Sequence, residues 1–442
     1  MSKTVLILSH ECAPFHRPAS TIGSQRVFHF AKHLPKNGWK SIVLCCAFNE
    51  RDTIDPKSSW QKEIESRVND CLLKAKDKDS VTIPLPSFKY DGMADKFWKK
   101  NVAINEDGSF KARKGLLKGF IRKVSSFIKL KRGDYSQSWQ KIALSASEHI
   151  IQNRKITAVI AEHGPDAGIY VAERLCANYN IPWIVDFRDP ILQPVSRNKR
   201  ASLRKFYRNK LSSSSAIVNV TPFWSKMDAR DFGRPTYTVT NGYEPLVAGR
   251  KNNRKKQFTL GCYGNISFPS DKEMLFSGIA KWSKDIAEDW SFVYYGNLHS
   301  EFLELADKFE ISANCRFSPP IDREQLKNEF LDIDVLLLFS AATSISDDEY
   351  LLQGYYPGKF FEYLAFKKPI LVLPGDDGQL DEMVEKLKVG RVCKSVQEVS
   401  SFLNIIHKGE LLLTPDQSQV VKFTRENKTK EMAEILDTIC VA

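Results

Sequence analysis

Short apolar runs alternate with amphipathic stretches along the chain. Thr4 to Leu8 is an unbroken apolar run of strand length, and the loop His10 to Ile22 after it carries Pro14 and Pro18. A helical period from about Ser24 to Leu34 then leads through Asn37-Gly38 to a second strand pattern, Ser41 to Ala47. The opening therefore predicts a β-α-β unit. Residues 51–135 interrupt it with charged sequence expected to be mostly helical or irregular. The alternation resumes with a helix at Ser138 to Asn153, a strand at Ala158 to Ala161, a helix at Ala167 to Asn178 and a strand at Trp183 to Phe187. Further short strands are expected at Ala216 to Val220 and Tyr237 to Thr240.

The second half repeats the scheme. Strand patterns at Phe258 to Tyr263, Phe292 to Tyr295, Cys315 to Ser318, Val335 to Phe339 and Ile370 to Leu373 are separated by helix-length segments, and Gln417 to Ile439 predicts one last helix. Gly264-Asn265 and Gly296-Asn297 close two of these strands, as turns or as places where a ligand approaches the backbone. The expected class is α/β: two doubly wound Rossmann-like domains facing across a cleft, with ligands at the carboxyl ends of the strands.

Composition narrows the picture. At 442 residues, 42% hydrophobic and 27% charged, the chain has the profile of a soluble protein of two domains, and its longest apolar runs fall far short of a bilayer span. Met-Ser-Lys passes directly into a strand pattern, without the apolar stretch of a secretory signal, and the nine cysteines include no C-x-x-C pair. A reducing, cytoplasmic compartment is expected.

The net charge of +12 is concentrated. Nine Lys or Arg and no acid lie between Lys111 and Arg132, where Leu117, Phe120, Ile121, Val124, Phe127 and Ile128 recur at helical spacing beside Lys114, Lys118, Arg122 and Lys123. Such a basic amphipathic helix suits an anionic membrane surface; it also suits a core-packed helix with a solvated basic face. No nucleic-acid-binding motif accompanies it, so nucleic acid is not an expected partner.

The most informative stretch is Pro357-Gly-Lys-Phe-Phe-Glu-Tyr-Leu-Ala-Phe-Lys-Lys-Pro-Ile370. Pro357 suits a first helical position and Gly358 permits close approach to the helix start, where an anion would find Lys359. Glu362, one turn on, shares a side with Lys359. Phosphate near the lysine and hydroxyls near the glutamate would fit a sugar nucleotide; the same spacing also makes an ordinary solvated ion pair.

In this ordered context the chain resembles the GT-B glycosyltransferases, in particular the retaining family 4 group. The match rests on Pro357, Lys359, Glu362, Tyr363, Leu364, Ala365, Lys368, Pro369 and Ile370, on Asp334-Val335, on Gly264, on Gly23-Ser24-Gln25-Arg26, on Asp186-Phe187-Arg188-Asp189-Pro190 and on Asn241-Gly242-Tyr243. The resemblance implies an acceptor-binding domain over residues 1–243 with the insertion at 51–135, a nucleotide-sugar-binding domain over 244–415, and a helix over 416–442 that packs back on the first domain. It implies that Glu362 holds the donor ribose and that Lys359, with the amides of Gly358 and Lys359, faces the diphosphate. Pro357, Gly264 and Asn265 would line the donor site, and Gly23, Ser24 and Arg26 the acceptor side. The chain departs from the family pattern in three places. Gly354 stands where many members carry a second glutamate, only Lys272 offers itself for the usual diphosphate clamp, and Arg188-Asp189 replaces the common catalytic histidine.

The expected activity is transfer of a sugar from a nucleotide-sugar donor to a lipid-linked or polysaccharide acceptor, at the cytoplasmic face of the membrane, with retention on the strength of the resemblance. A nucleotide-sugar epimerase and a non-catalytic binding or assembly protein are the competing readings. Asp189, Arg188 and His163 are the candidates for work at the reacting carbon, with a structural histidine and a turn-forming aspartate as their plain alternatives. No cofactor is expected and no metal, since Asp347-Asp348 and Asp376-Asp377 are adjacent loop pairs of the kind usually solvated.

Overall fold

The structure, a computed structural model, describes residues 3–15, 23–47, 53–88, 102–104, 110–112, 137–192, 197–246, 257–266, 272–286, 289–340, 354–410 and 413–441. The basic helix expected around Lys114, Lys118, Arg122 and Lys123 lies outside these residues, as does Asp347-Asp348. The chain divides into two compact units, Met1–Val239 with Thr429–Ala442, and Thr240–Lys428.

In the first unit the strands are β1 (Lys3–Leu8), β2 (Trp39–Cys46), β3 (Thr53–Ile54), β4 (Ser80–Leu85), β5 (Ser87–Phe88), β6 (Val102–Ile104), β7 (Phe110–Ala112), β8 (Ala158–His163), β9 (Trp183–Phe187), β10 (Ala216–Asn219) and β11 (Thr236–Thr238). Seven of them form one sheet in the order β11-β10-β9-β8-β1-β2-β4, every pair parallel. Alternate residues of the central strands face opposite sides and both sides are buried, which is why the strands read as continuous apolar runs. On one side Val5, Ile7, Val43, Cys45, Ile160 and Val218 pack with Val27, Phe30 and Ala31 of the helix Gln25–His33. Met432, Ala433, Leu436 and Ile439 of the last helix complete that cluster.

Part of the segment 51–135, expected to interrupt the alternation, continues it. Trp60–Lys74 is a helix, and β4 adds parallel to β2, from Ser41 opposite Ser80 to Cys46 opposite Leu85. Pro84 disguises this strand, because a proline lacks the N–H of an inner ladder; β4 is an edge strand, where that donor is not needed.

The second unit has β12 (Phe258–Tyr263), β13 (Trp290–Tyr295), β14 (Cys315–Ser318), β15 (Val335–Phe339), β16 (Ile370–Leu373) and β17 (Gly390–Val392), all parallel, in the order β14-β13-β12-β15-β16-β17. One apolar cluster lies on each side of the sheet. Both sheets run outward from their first strand in one direction and then, from the fourth, in the other. Each therefore has a switch point, between β1 and β8 and between β12 and β15, where strand ends open a crevice.

The last helix is broken. Gln417–Val420 and the tight turn Val421–Phe423 precede an extended Thr424, and a new helix runs Arg425–Val441. Thr424 leaves helical geometry because Tyr243 takes over the hydrogen bonding. The Tyr243 N–H donates to the Phe423 carbonyl at 3.0 Å and the Arg425 N–H to the Tyr243 carbonyl at 2.8 Å. Gly242 permits this approach, since a Cβ there would stand 2.7 Å from the Phe423 oxygen.

Candidate functional site

At the switch point of the second sheet, Phe360, Phe361, Tyr363 and Leu364 bury one side of the helix Gly358–Leu364, which leaves Lys359 and Glu362 together on the other. Pro357 is the residue before the helix, not its first member, and the helix has only seven residues. The cationic element is thus the Lys359 ammonium more than the helix start. Its Nζ donates to the Asn265 carbonyl at 2.6 Å, and the side chain crosses Gly264 so closely that a Cβ there would lie 2.9 Å from Lys359 Cε. Gly264 also has φ +80°, so its glycine is required twice over. Burial pushes the Lys359 pKa down to about 8, against the opposing influence of Cys262 and Glu362.

Glu362 forms no pair with Lys359; the solvated ion pair left open by the spacing is not made. Its Oε2 accepts the Tyr263 hydroxyl at 2.7 Å, and its Oε1 accepts Arg323 at 2.9 Å. Two of the three Lys359 donors have no partner among the described residues.

The other expected donor-site features fall less neatly. Lys272 begins the helix Lys272–Ser283 and pairs with Glu301 at 3.0 Å. Gly354 is buried with φ +76°, so a glutamate there would be strained, and the missing carboxylate follows from the backbone. Gly296 is a packing glycine: a Cβ would meet the Tyr294 hydroxyl at 2.1 Å. Asp376 is not solvated. It is 3% exposed and accepts the N–H groups of Gly378, Leu380 and Asp381, which caps the helix Gln379–Leu387. Asp377 pairs with Lys394.

At the switch point of the first sheet, the Arg188 guanidinium lies against Glu162 Oε1 at 3.3 Å, the Gly164 carbonyl at 3.4 Å and Asp189 Oδ2 at 3.5 Å. Two glycines make its slot: a Cβ on Gly23 would stand 2.3 Å from Arg188 and one on Gly164 2.7 Å. Glu162 is buried and also accepts the Ser9 hydroxyl. Burial raises its pKa to about 7, against the lowering effects of Arg188 and the Ser9 hydrogen bond. His163, next in the chain, holds Asp166 through Nδ1 at 2.6 Å, and Asp166 accepts the Tyr207 hydroxyl on its other oxygen. Burial works against the His163 cation, but Asp166 outweighs it and the net shift is upward.

Of the residues expected on the acceptor side, only Gly23 joins this cluster. Ser24 is fully buried, and Arg26, 4% exposed, is fixed below the strand ends by Asp186 at 2.7 and 2.8 Å and by the Val239 carbonyl at 2.9 Å. Its side chain braces the sheet because the Asp186 carboxylate, wholly buried in β9, needs a charge partner. Glu162 and Tyr263 were missed although each stands beside a residue singled out, His163 and Gly264. Arg323 carries no sequence signal at all, being 39 residues from Glu362.

No protein-family model and no curated protein matches this sequence. Solved structures do. The apo form of the lipopolysaccharide outer core galactosyltransferase WaaB aligns over 98% of this chain and 99% of its own, with 11% identity and a TM-score of 0.52. A glycosyltransferase from Rickettsia africae aligns over 99% of both chains, with 11% identity and a TM-score of 0.54. At this identity the likeness is one of fold: two doubly wound domains of the GT-B architecture.

Proposed function

We propose that the chain is a glycosyltransferase that moves a sugar from a nucleotide-sugar donor to a lipid-linked or polysaccharide acceptor, without a metal and with retention at the anomeric carbon. The observation that carries this reading is that Lys359 and Glu362 share one partly exposed helix side at the switch point between β12 and β15. An ammonium with two uncommitted donors suits a diphosphate, and a carboxylate beside it suits ribose hydroxyls. In the reaction the bond between the anomeric carbon and the diphosphate oxygen breaks, the acceptor oxygen bonds to that carbon, and the acceptor proton is released. Lys359 stabilises the charge that grows on the departing diphosphate. Arg188, Asp189 and His163 are the groups proposed to act at the transferring sugar. The sugar transfer named for both structural neighbours agrees by analogy of fold.

Turnover with a panel of UDP-, GDP- and dTDP-sugars tests the reading. Glu362→Ala should abolish transfer while the chain keeps its fold, and chelators should leave the wild type unaffected. Full activity in Glu362→Ala would remove the donor assignment, release of an epimerised free donor would point to epimerase chemistry, and binding without turnover to an assembly role. The same reading places the protein at the inner face of the cell membrane through Lys114, Lys118, Arg122 and Lys123. Anionic vesicles should bind the wild type in low salt and bind a variant with these four changed to Gln much less; equal binding would overturn the membrane assignment.

A further inference from the structure

Glu362 is held from two sides. Tyr263, the last residue of β12, donates its hydroxyl to Oε2 at 2.7 Å, and Arg323, the first residue of the helix Arg323–Phe330, donates to Oε1 at 2.9 Å. Tyr263 is itself fixed, 8% exposed and edge-on to Phe330 and Tyr363 at 5.0 and 5.3 Å. Arg323 follows Asp322, whose carboxylate caps the same helix through the N–H groups of Glu324 and Gln325. Three separate elements thus meet on one carboxylate.

The consequence is chemical. A carboxylate offers two acceptor sites on each oxygen, and here one on each is taken. The two that remain, one on each oxygen, lie in the carboxylate plane, which Tyr263 and Arg323 hold against rotation. Arg323 also offsets the negative charge, so the position no longer favours a cation, while an anion would still meet the carboxylate itself. A neutral pair of adjacent hydroxyls satisfies both conditions. Building on the donor-site reading, we infer that Arg323 and Tyr263 are positioning residues that turn Glu362 into an acceptor selective for a vicinal diol, such as that of a ribose.

The test is a ratio of affinities. UDP and GDP, each paired with its dideoxyribose analogue, are titrated into the full chain by calorimetry. The wild type should prefer the diol form of whichever nucleotide binds by about tenfold to a hundredfold, the value of one or two hydrogen bonds to a charged acceptor. Arg323→Gln and Tyr263→Phe should each shrink that preference to less than about fivefold while the dideoxy affinity stays where it was, and Arg323→Lys should restore part of it. A wild-type preference that survives in both variants overturns the inference and leaves the donor reading standing. Equal loss of both affinities also overturns it, because that marks a merely structural role. No diol preference in the wild type overturns the donor assignment of Glu362 itself.

Discussion

At the switch point of the first sheet, the groups that meet are a buried carboxyl with a raised pKa, an arginine in a slot between two glycines, and a histidine linked through an aspartate to a tyrosine. At the corresponding point of the second sheet they are a lysine with a lowered pKa and a carboxylate held by a buried tyrosine and an arginine. Strand order is the same but for one more edge strand in the first sheet, yet the first cluster holds a buried carboxyl that burial pushes towards protonation and the second a lysine that burial pushes towards losing its proton. A shared topology thus delivers side chains to equivalent strand ends, and the residues there set which chemistry each end offers.

The most drastic way to probe the first cluster is from beneath. Arg26→Ala leaves the Asp186 carboxylate buried and unpaired, and should cost about 3–5 kcal/mol of stability in denaturant unfolding. No single change at Lys359 or Glu362 should approach that, since both side chains are partly exposed.

The contrast in proton behaviour is testable by pH. Glu162 titrates at about 7 in the fold against an ordinary 4.5, so between those values the folded chain keeps a proton that the unfolded chain has released. Wild-type stability should therefore fall by about 3 kcal/mol from this group as pH rises through that window, and Glu162→Gln should lack this component of the slope. Lys359 behaves in the opposite sense: lowered to about 8 from 10.5, it contributes stability that grows as pH rises between those values. Affinity for a nucleoside diphosphate should accordingly decline above pH 8 in the wild type, and more weakly in Lys359→Arg.

The smallest perturbation concerns one methyl group. Gly264→Ala forces a side chain into a left-handed backbone and against Lys359, and should cost about 1–2 kcal/mol in thermal unfolding while weakening nucleotide binding.

Legibility in the sequence followed periodicity. The strands Trp183–Phe187, Phe258–Tyr263, Val335–Phe339 and Ile370–Leu373 stand where their apolar runs place them, because inner strands of a parallel sheet are buried on both faces. The edge strand with Pro84 was hidden, as was the break at Thr424, which depends on Tyr243 far away in the chain. In the second cluster Lys359 and Glu362 were legible from their spacing on one helix. Arg323 and Tyr263 were not, because the contact that joins them to Glu362 is tertiary. In the first cluster Arg188 and His163 were singled out; that Arg26, expected on the acceptor side, binds Asp186 was not legible, since an arginine's partner cannot be read from its neighbours in sequence.

The central claim is that nucleotide capture belongs to the second cluster alone. Calorimetric titration of UDP and GDP into the wild type, Lys359→Ala and Arg188→Ala tests it most directly. The account predicts that at least one nucleotide binds the wild type, that Lys359→Ala weakens it by about tenfold or more, and that Arg188→Ala leaves it within about twofold. Unchanged binding in Lys359→Ala, or loss of binding in Arg188→Ala, would contradict it.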